Sequence, residues 1–459
     1  KTLEEGTIKL PASLKNVTIK GGDKCLLKDM TISAADGNSV NYEGLTFDGI
    51  TFENSNVVLT GWRTSGVVYK DITVTNCTFR NVTRTNNEAA FHINCDATEA
   101  VNGFIFTNNV IDGVSGASNS GLYAQLTGEV LISGNVINNV AFRPYVIQIT
   151  NDDGVEDEFV VTRNTFSGSS KGRAQGLGNN AAGTDQVNLV VTENIFKGIT
   201  DSQQICYWNF NSAKTTADLS HNYYDIDILA NPGKIYFNNS AANVYDLVDM
   251  GVFPIYTDEN KTTTFSPEVS AAKIGETEYA TLQEAFNAGG EITLLHNITV
   301  DETVVLSEDV TVVLDLNGKT LAAADMNVVK NNGGNLTIKN GTITRTGDVV
   351  GYSVNNASGE IVVENATVQR GLYTSGSKLT ATNANISHEQ SSRHAIYAWN
   401  CEVTINSGTF HNDNAGNATL MASGSSVVTI NGGTFSIADG RSSLGWTSSM
   451  IDQNSTAQV

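Results

Sequence analysis

The chain alternates apolar and polar residues in short bursts, and the bursts recur at a long, regular interval. Five segments of the first half line up: DITVTNCTFRNV from Asp71, GFIFTNNVIDGV from Gly103, EVLISGNVINNV from Glu129, EFVVTRNTFSGS from Glu158 and NLVVTENIFKGI from Asn188. Each reads as a β-branched strand, a polar turn and a second short strand. GLTFDGITFENS from Gly44 is an early copy, and TADLSHNYYDID from Thr216 is a late one. One column sets the register: Ile50, Cys77, Asn109, Asn135, Asn164, Asn194 and Asn222. Its members are 27, 32, 26, 29, 30 and 28 residues apart. Two places later runs an apolar column of Phe52, Phe79, Ile111, Ile137, Phe166, Phe196 and Tyr224.

A repeat of this length marks a solenoid. Coils stacked at the ~4.8 Å strand spacing bring equivalent residues into contact. The Asn column is therefore expected to form a ladder of amide hydrogen bonds, with the apolar column stacked inside. Asn at a turn tolerates the left-handed backbone conformation and bonds its own backbone, so these residues read as structural and not as ligands.

The second half repeats the scheme with shorter coils. LTIKNGTI from Leu336, IVVENATV from Ile361, LTATNANI from Leu379, VTINSGTF from Val403 and VTINGGTF from Val428 align on Asn340, Asn365, Asn383, Ser407 and Gly432. LDLNGKTL from Leu314 joins them through Gly318, and the steps are 22, 25, 18, 24 and 25 residues. The expected fold is all-β: two tandem right-handed parallel β-helices. The first covers residues 1–256 and the second residues 273–459. The polar, Thr-rich stretch between them, 257–272, contains Pro267 and reads as a linker. YATLQEAFNAGG from Tyr279 places Ala280, Leu282, Ala285 and Phe286 on one helical face, which predicts a capping helix near 279–288 over the open end of the second solenoid. EEGTIKL from Glu4 is similar to GGEITLL from Gly289, which follows that helix. A matching helix, and more chain, is expected before Lys1.

Between the aligned motifs each coil carries another strand. These are AAFHINC from Ala89, GLYAQLT from Gly121, YVIQIT from Tyr145 and QICYWNF from Gln204. With Phe91, Ile93 and Cys95 inward, strand alternation turns His92 and Asn94 outward. The same reasoning exposes Tyr123 and Gln125, then Val146 and Gln148. In the last strand it exposes either Tyr207 or Trp208, and Trp208 is taken as the candidate. In the second half, GLYTSG from Gly371 and RHAIYAWN from Arg393 expose Tyr373, Tyr397 and Trp399, with Tyr352 one coil earlier. Polar-aromatic faces of this kind bind sugars or protein loops.

Charge narrows the partners. The net charge is −21 and the sequence pI near 4.6, with no basic footprint for a nucleic acid and no attraction to anionic membranes. No apolar run approaches the ~20 residues of a membrane span. Cys25, Cys77, Cys95, Cys206 and Cys401 have no CxxC or zinc-ligand spacing and read as small core residues. In NDDGVEDE, the carboxylates of Asp152, Asp153, Glu156 and Asp157 read as a solvated acidic loop whose oxygens also suit calcium. Arg143, Arg163, Lys171 and Arg173 fall within two adjacent coils and read as solubilising surface charge, with a positive spot that holds an anionic sugar as the alternative. The six histidines show no HxH or HExxH spacing. No residue is assigned a catalytic role.

KIGETEYATLQEAFNAGGEITLLHNITV from Lys273 and VTVVLDLNGKTL from Val310 are similar to a module common in large surface proteins of gut bacteria, where it acts as an adhesive or stalk-like repeat. At fold level the chain resembles the pectate-lyase-like right-handed β-helix superfamily. That resemblance implies an extracellular or bacterial cell-surface setting. Enzymes of that superfamily are polysaccharide lyases and glycoside hydrolases. The polygalacturonase-like run of an Asp pair, Gly-His-Gly and Arg-Ile-Lys is absent here. The expectation is a monomeric, non-catalytic, adhesin-like protein whose β-helices offer a binding face to a host glycan or glycoprotein, mucins and immunoglobulins included. The alternatives are a lyase or hydrolase acting on an acidic polysaccharide, and a structural spacer.

Overall fold

The computed structural model describes residues 2–22, 25–36, 39–60, 66–83, 89–94, 101–116, 118–149, 156–168, 173–178, 186–200, 204–209, 215–237, 239–389, 393–413, 417–438 and 451–453. It is an all-β solenoid of about 15 turns with few helices. The chain divides into two compact units, Lys1–Pro267 and Glu268–Val459.

In the first unit three series of strands run up the solenoid, pairing in parallel with the next coil. One series contains Asn56–Thr60, Ala89–Asn94, the start of Ser120–Ser133, Arg143–Ile149, Ala174–Gly178, Cys206–Asn209 and Ile235–Phe237. The second contains Val68–Thr75, Val101–Thr107, the end of Ser120–Ser133, Asp157–Thr162 and Val187–Thr192. The third contains Thr51–Glu53, Thr78–Thr83, Val110–Ser115, Val136–Val140, Thr165–Ser167 and Ile195–Lys197.

The Asn ladder is present at the corner between the second and third series. The backbone N–H of Asn135 donates to Asn164 Oδ1 at 3.0 Å, and Asn135 Nδ2 donates to the same oxygen at 2.9 Å and to the Phe106 carbonyl at 2.7 Å. The pattern runs unbroken from Asn109 through Asn135, Asn164 and Asn194 to Asn222. These side chains point inward and are buried, so each amide meets the demand for partners inside an apolar core. The left-handed conformation expected of them belongs to the preceding residue instead: Asn108 (φ 54°), Gly134 (φ 67°), Arg163 (φ 56°) and Glu193 (φ 58°). That residue turns the chain, and the turn is what sends the next side chain inside. The apolar column stacks as expected, with Phe52 on Phe79 at 4.5 Å and Phe196 on Tyr224 at 5.1 Å between ring centroids.

The second unit uses the corner differently. Asn340, Asn365 and Asn383 themselves take the left-handed turn (φ 59°, 49° and 49°), and Asn383 Nδ2 donates to Asn365 Oδ1 at 2.8 Å on the surface. The inward place that follows holds Gly341, Ala366, Ala384 and Gly408, and a Cβ on Gly341 would run into Leu316. Small residues thus replace the internal ladder. Leu321, Ile343, Val368, Ile386, Phe410 and Phe435 stack along the inside.

The helix Leu282–Ala288 buries Leu282, Ala285 and Phe286. It opens with a capping box, in which Thr281 Oγ1 accepts from the Glu284 N–H at 3.2 Å and Glu284 Oε2 accepts from the Thr281 N–H at 3.1 Å. Ala280, expected on its apolar face, is exposed and lies before its first turn. A further helix, Val244–Asp249, was not evident in the sequence pattern. It has its own capping box from Asn243 and Asp246 and buries Leu247. Cys77, Cys206 and Cys401 are buried free thiols and Cys25 is half-buried; Cys95 lies outside the described residues. Burial pushes the Cys206 thiol up to about 12 and Cys77 to about 11, so both behave as apolar core groups.

Candidate functional site

The strands between the Asn motifs turn one face outward, as alternation requires. In the first unit the register sets His92 beside Tyr123, then Val146, Gln175, Tyr207 and Tyr236 on successive coils. Five strand spacings of ~4.8 Å make this strip about 24 Å long. A parallel row pairs Gln125 with Gln148, and Asn94 with Thr60.

At one end the strip opens into a cleft of about 430 Å³ lined by Thr60, His92, Asn94, Tyr123, Arg143 and Val146, among others. The His92 and Tyr123 rings lie 4.6 Å apart, and the Arg143 guanidinium sits 4.3 Å over the Phe142 ring. At the other end Tyr207 and Tyr236 stack at 4.5 Å, nearly parallel, and the Arg173 guanidinium lies 4.0 Å over Tyr207. Although these side chains face away from the core, several are shielded from solvent: Asn94 is 4 % exposed, Gln125 6 % and Gln175 3 %.

Polar satisfaction is incomplete here. Both ring nitrogens of His92, Asn94 Oδ1 and Gln175 Oε1 are buried without a hydrogen-bond partner. Such groups cost ~1–3 kcal/mol each when left unmet, so their concentration in one outward strip marks it as built for something other than packing. Burial pulls His92 down to about 4, which leaves its imidazole neutral at neutral pH. Burial also pushes the Tyr123 phenol up, against the opposing charge of Arg143.

The candidates from sequence fall into place unevenly. His92, Asn94, Tyr123, Gln125 and Gln148 share the strip. Trp208 does not: it is fully buried, packed 5.8 Å from Tyr145, and its neighbour Tyr207 takes the outward place. The alternation starts from Cys206, which faces the core and so turns Tyr207 out. Arg143 and Arg173 reach the strip, whereas Arg163 pairs with Glu193 at 2.8 Å away from it, and Lys171 lies outside the described residues.

Only two of the four carboxylates of the acidic loop fall within the described residues. Asp152 and Asp153 lie outside the described residues, and Glu156 is exposed. Asp157 is fully buried at the start of its strand, where its carboxylate accepts from the Gly128 N–H at 2.8 Å and from the Thr127 hydroxyl at 3.3 Å. Through these bonds it braces two coils. Among the described residues no three His, Cys, Asp or Glu side chains converge on a metal position.

Sequence reasoning passed over Gln175 and Tyr236 of the strip, and two glutamates besides. Glu129 and Glu158 project outward from adjacent coils beside exposed Ile105 and Leu131, in a depression of about 350 Å³. Their signal was available, since each is the first residue of its aligned motif.

In the second unit Tyr373 pairs with Asn355 on one side and Tyr397 on the other, and Trp399 stands 42 % exposed on the same strand as Tyr397. Tyr352, Tyr373 and Tyr397 form a run of rings at 5.9 and 5.6 Å. Tyr352 closes that run from a buried position, 8 % exposed, and not from the surface as its place one coil earlier implied.

No family model and no curated protein matches the chain. Among solved structures it is similar to a PL6 family alginate lyase, AlyGC, at 11 % identity and a TM-score of 0.22, over 99 % of this chain and 89 % of that one. An arginine-to-alanine mutant of the same enzyme gives 10 % identity and a TM-score of 0.20, over 98 % and 94 % of the two chains. At such scores the coils do not superpose as a whole, and no residue role passes from those enzymes to this chain.

Proposed function

We propose that the first β-helix binds an extended acidic glycan along the strip from His92 to Tyr236 and does so without cleaving it. The observation that carries the reading is the set of buried, unpartnered polar atoms on His92, Asn94 and Gln175 in an outward strip. The spacing fits a chain ligand, because each coil repeats the contact one strand spacing further on. The charge fits an acidic one: the charged side chains described on the strip are Arg143 and Arg173, on a protein whose net charge is −21. An adhesin-like protein at a bacterial surface, engaging host glycoproteins such as mucins or immunoglobulins, is the setting this reading assigns.

Elimination on an acidic sugar is the second reading, because His92, Tyr123 and Arg143 meet in the cleft. A base, an acid and a charge neutraliser are the groups that reaction needs. An imidazole held near 4 by burial is a poor match to a base working at neutral pH, and this favours binding. The test is a glycan array probed with the full chain, followed by incubation with each bound acidic polysaccharide. Binding that is lost in Arg143→Gln and Arg173→Gln, with no unsaturated product absorbing in the ultraviolet, supports the proposal. Absence of any acidic ligand, or release of unsaturated sugar, overturns it.

A further inference from the structure

On the second unit the strands Thr320–Ala324, Thr342–Thr346, Ala384–His388 and Gly408–Asn412 belong to one parallel series. Alternation from Ile343 turns Arg345 inward, where an apolar side chain is the ordinary choice. Arg345 is 5 % exposed, its Nε is buried without a hydrogen-bond partner, and among the described residues no ion pair reaches its guanidinium. A buried cation left in this state is expensive and calls for a compensating anion.

The surroundings are arranged around that guanidinium. It packs against Gly351, where a Cβ would collide with it. The Gly351 carbonyl lies 3.0 Å from His388 Nε2, and the His388 ring is 5.7 Å from Tyr352. The Arg393 guanidinium stands 6.0 Å from the Tyr352 ring. Next in the chain to Gly371, which abuts His388, Arg370 has a buried Nη1 without a partner, although its Nε pairs with Glu389 at 3.4 Å. Asp325 also acts on Arg345 electrostatically. Arg370 and Arg393 both act on Arg345 as like charges, and among the described residues the carboxylates recorded beside Arg345 and Arg370 are Asp325 and Glu389, while burial keeps His388 neutral. Beside them runs the Tyr352–Tyr373–Tyr397 series of rings.

We infer that Arg345, Arg370 and Arg393 form an oxyanion subsite on the second β-helix, and that the rings of Tyr373 and Tyr397 seat the sugar that carries the oxyanion. The ligand is an acidic sugar bearing a sulfate ester or a carboxylate. Guanidinium forks match either group, and the aromatic run supplies the apolar surface a sugar ring needs. This site is independent of the strip on the first unit.

The experiment is calorimetric titration of the full chain carrying Arg143→Gln and Arg173→Gln, so that the first strip is silenced. The probes are a sulfated disaccharide, a uronic acid disaccharide, a neutral disaccharide and inorganic sulfate. One acidic disaccharide is expected to bind at one site per chain. Adding Arg393→Gln or Tyr397→Ala is expected to weaken it about tenfold, as loss of a charged hydrogen bond or an aromatic contact does. Arg345→Gln should abolish it. If that buried variant fails to fold, Arg393→Gln decides alone. Equal affinity in the Arg393 and Tyr397 variants, or inorganic sulfate binding as tightly as the sulfated sugar, overturns the inference. Failure of the first-strip reading leaves this result untouched, because those residues are already replaced.

Discussion

The indole of Trp208 occupies the space that a side chain at Gly176, its partner on the preceding coil, would fill. Trp208 is the largest fully buried side chain of the protein's described residues, and it fits because the coil before it offers no Cβ at that place. The pair decides which face of this strand is the core, and hence that Tyr207 joins the outward strip.

Gly176→Ala is therefore expected to destabilise the first unit by ~1–3 kcal/mol through overpacking. Trp208→Ala should cost ~3–5 kcal/mol through the cavity it leaves. Tyr207→Ala should cost only about 1 kcal/mol, for the lost stacking on Tyr236 and the contact with Arg173, because it leaves no cavity. Urea denaturation followed by circular dichroism checks all three. A Tyr207 variant as unstable as the Trp208 variant would reverse the assignment of the two faces.

The ladder makes a second prediction. In Asn164→Ala the Asn135 N–H and Nδ2 lose their shared acceptor, and the Ile132 carbonyl loses the 2.8 Å bond from Asn164 Nδ2. With two buried donors left short, the loss should be about 2–4 kcal/mol. Glu158→Ala, an exposed strand residue on the same coil, serves as control and should lie within about 0.5 kcal/mol of the parent. Hydrogen exchange at the Asn135 amide provides a local readout.

The repeat was legible because a solenoid writes its register into the chain at every coil. Asn135, Asn164 and Asn194 recur at the coil length and are bonded to one another in the fold. What could not be read was the direction of individual side chains where the pattern lacked polar punctuation. QICYWNF alternates equally well either way, and only the space left by Gly176 places Trp208 inside. Arg345 was missed for a related reason. Its inward place is set by the turn after Asn340, and a charged residue there reads as surface until the coil is closed.

Histidine burial gives a pH prediction. His92 and His388 are both pulled to about 4 in the folded protein, against an ordinary value of 6.5. Between those limits the unfolded chain takes up protons that the folded chain refuses. Stability is then complete above about pH 6.5 and is lost as the pH falls toward 4. The urea midpoint should drop between pH 7.5 and 5, and His92→Gln and His388→Gln should each flatten that drop. A midpoint that rises on acidification over this range would contradict the burial of both rings.

Ligand binding on the first strip should respond to salt and not to pH. Its cations are the guanidinium groups of Arg143 and Arg173, while His92 is already neutral. Affinity for an acidic oligosaccharide is expected to be level between pH 6 and 8 and to fall as salt screens the two guanidinium groups. Asn94→Ala should weaken binding about three- to tenfold by removing a buried amide that the free protein leaves unmet, and it should not lower stability. That combination separates a ligand-facing amide from a structural one, for which loss of stability would accompany loss of affinity. Calorimetric titration at two salt concentrations, paired with the denaturation midpoint of the same variant, measures both quantities. An Asn94 variant that binds as tightly as the parent would remove the cleft from the binding path and leave the Tyr207–Tyr236 end to hold the glycan.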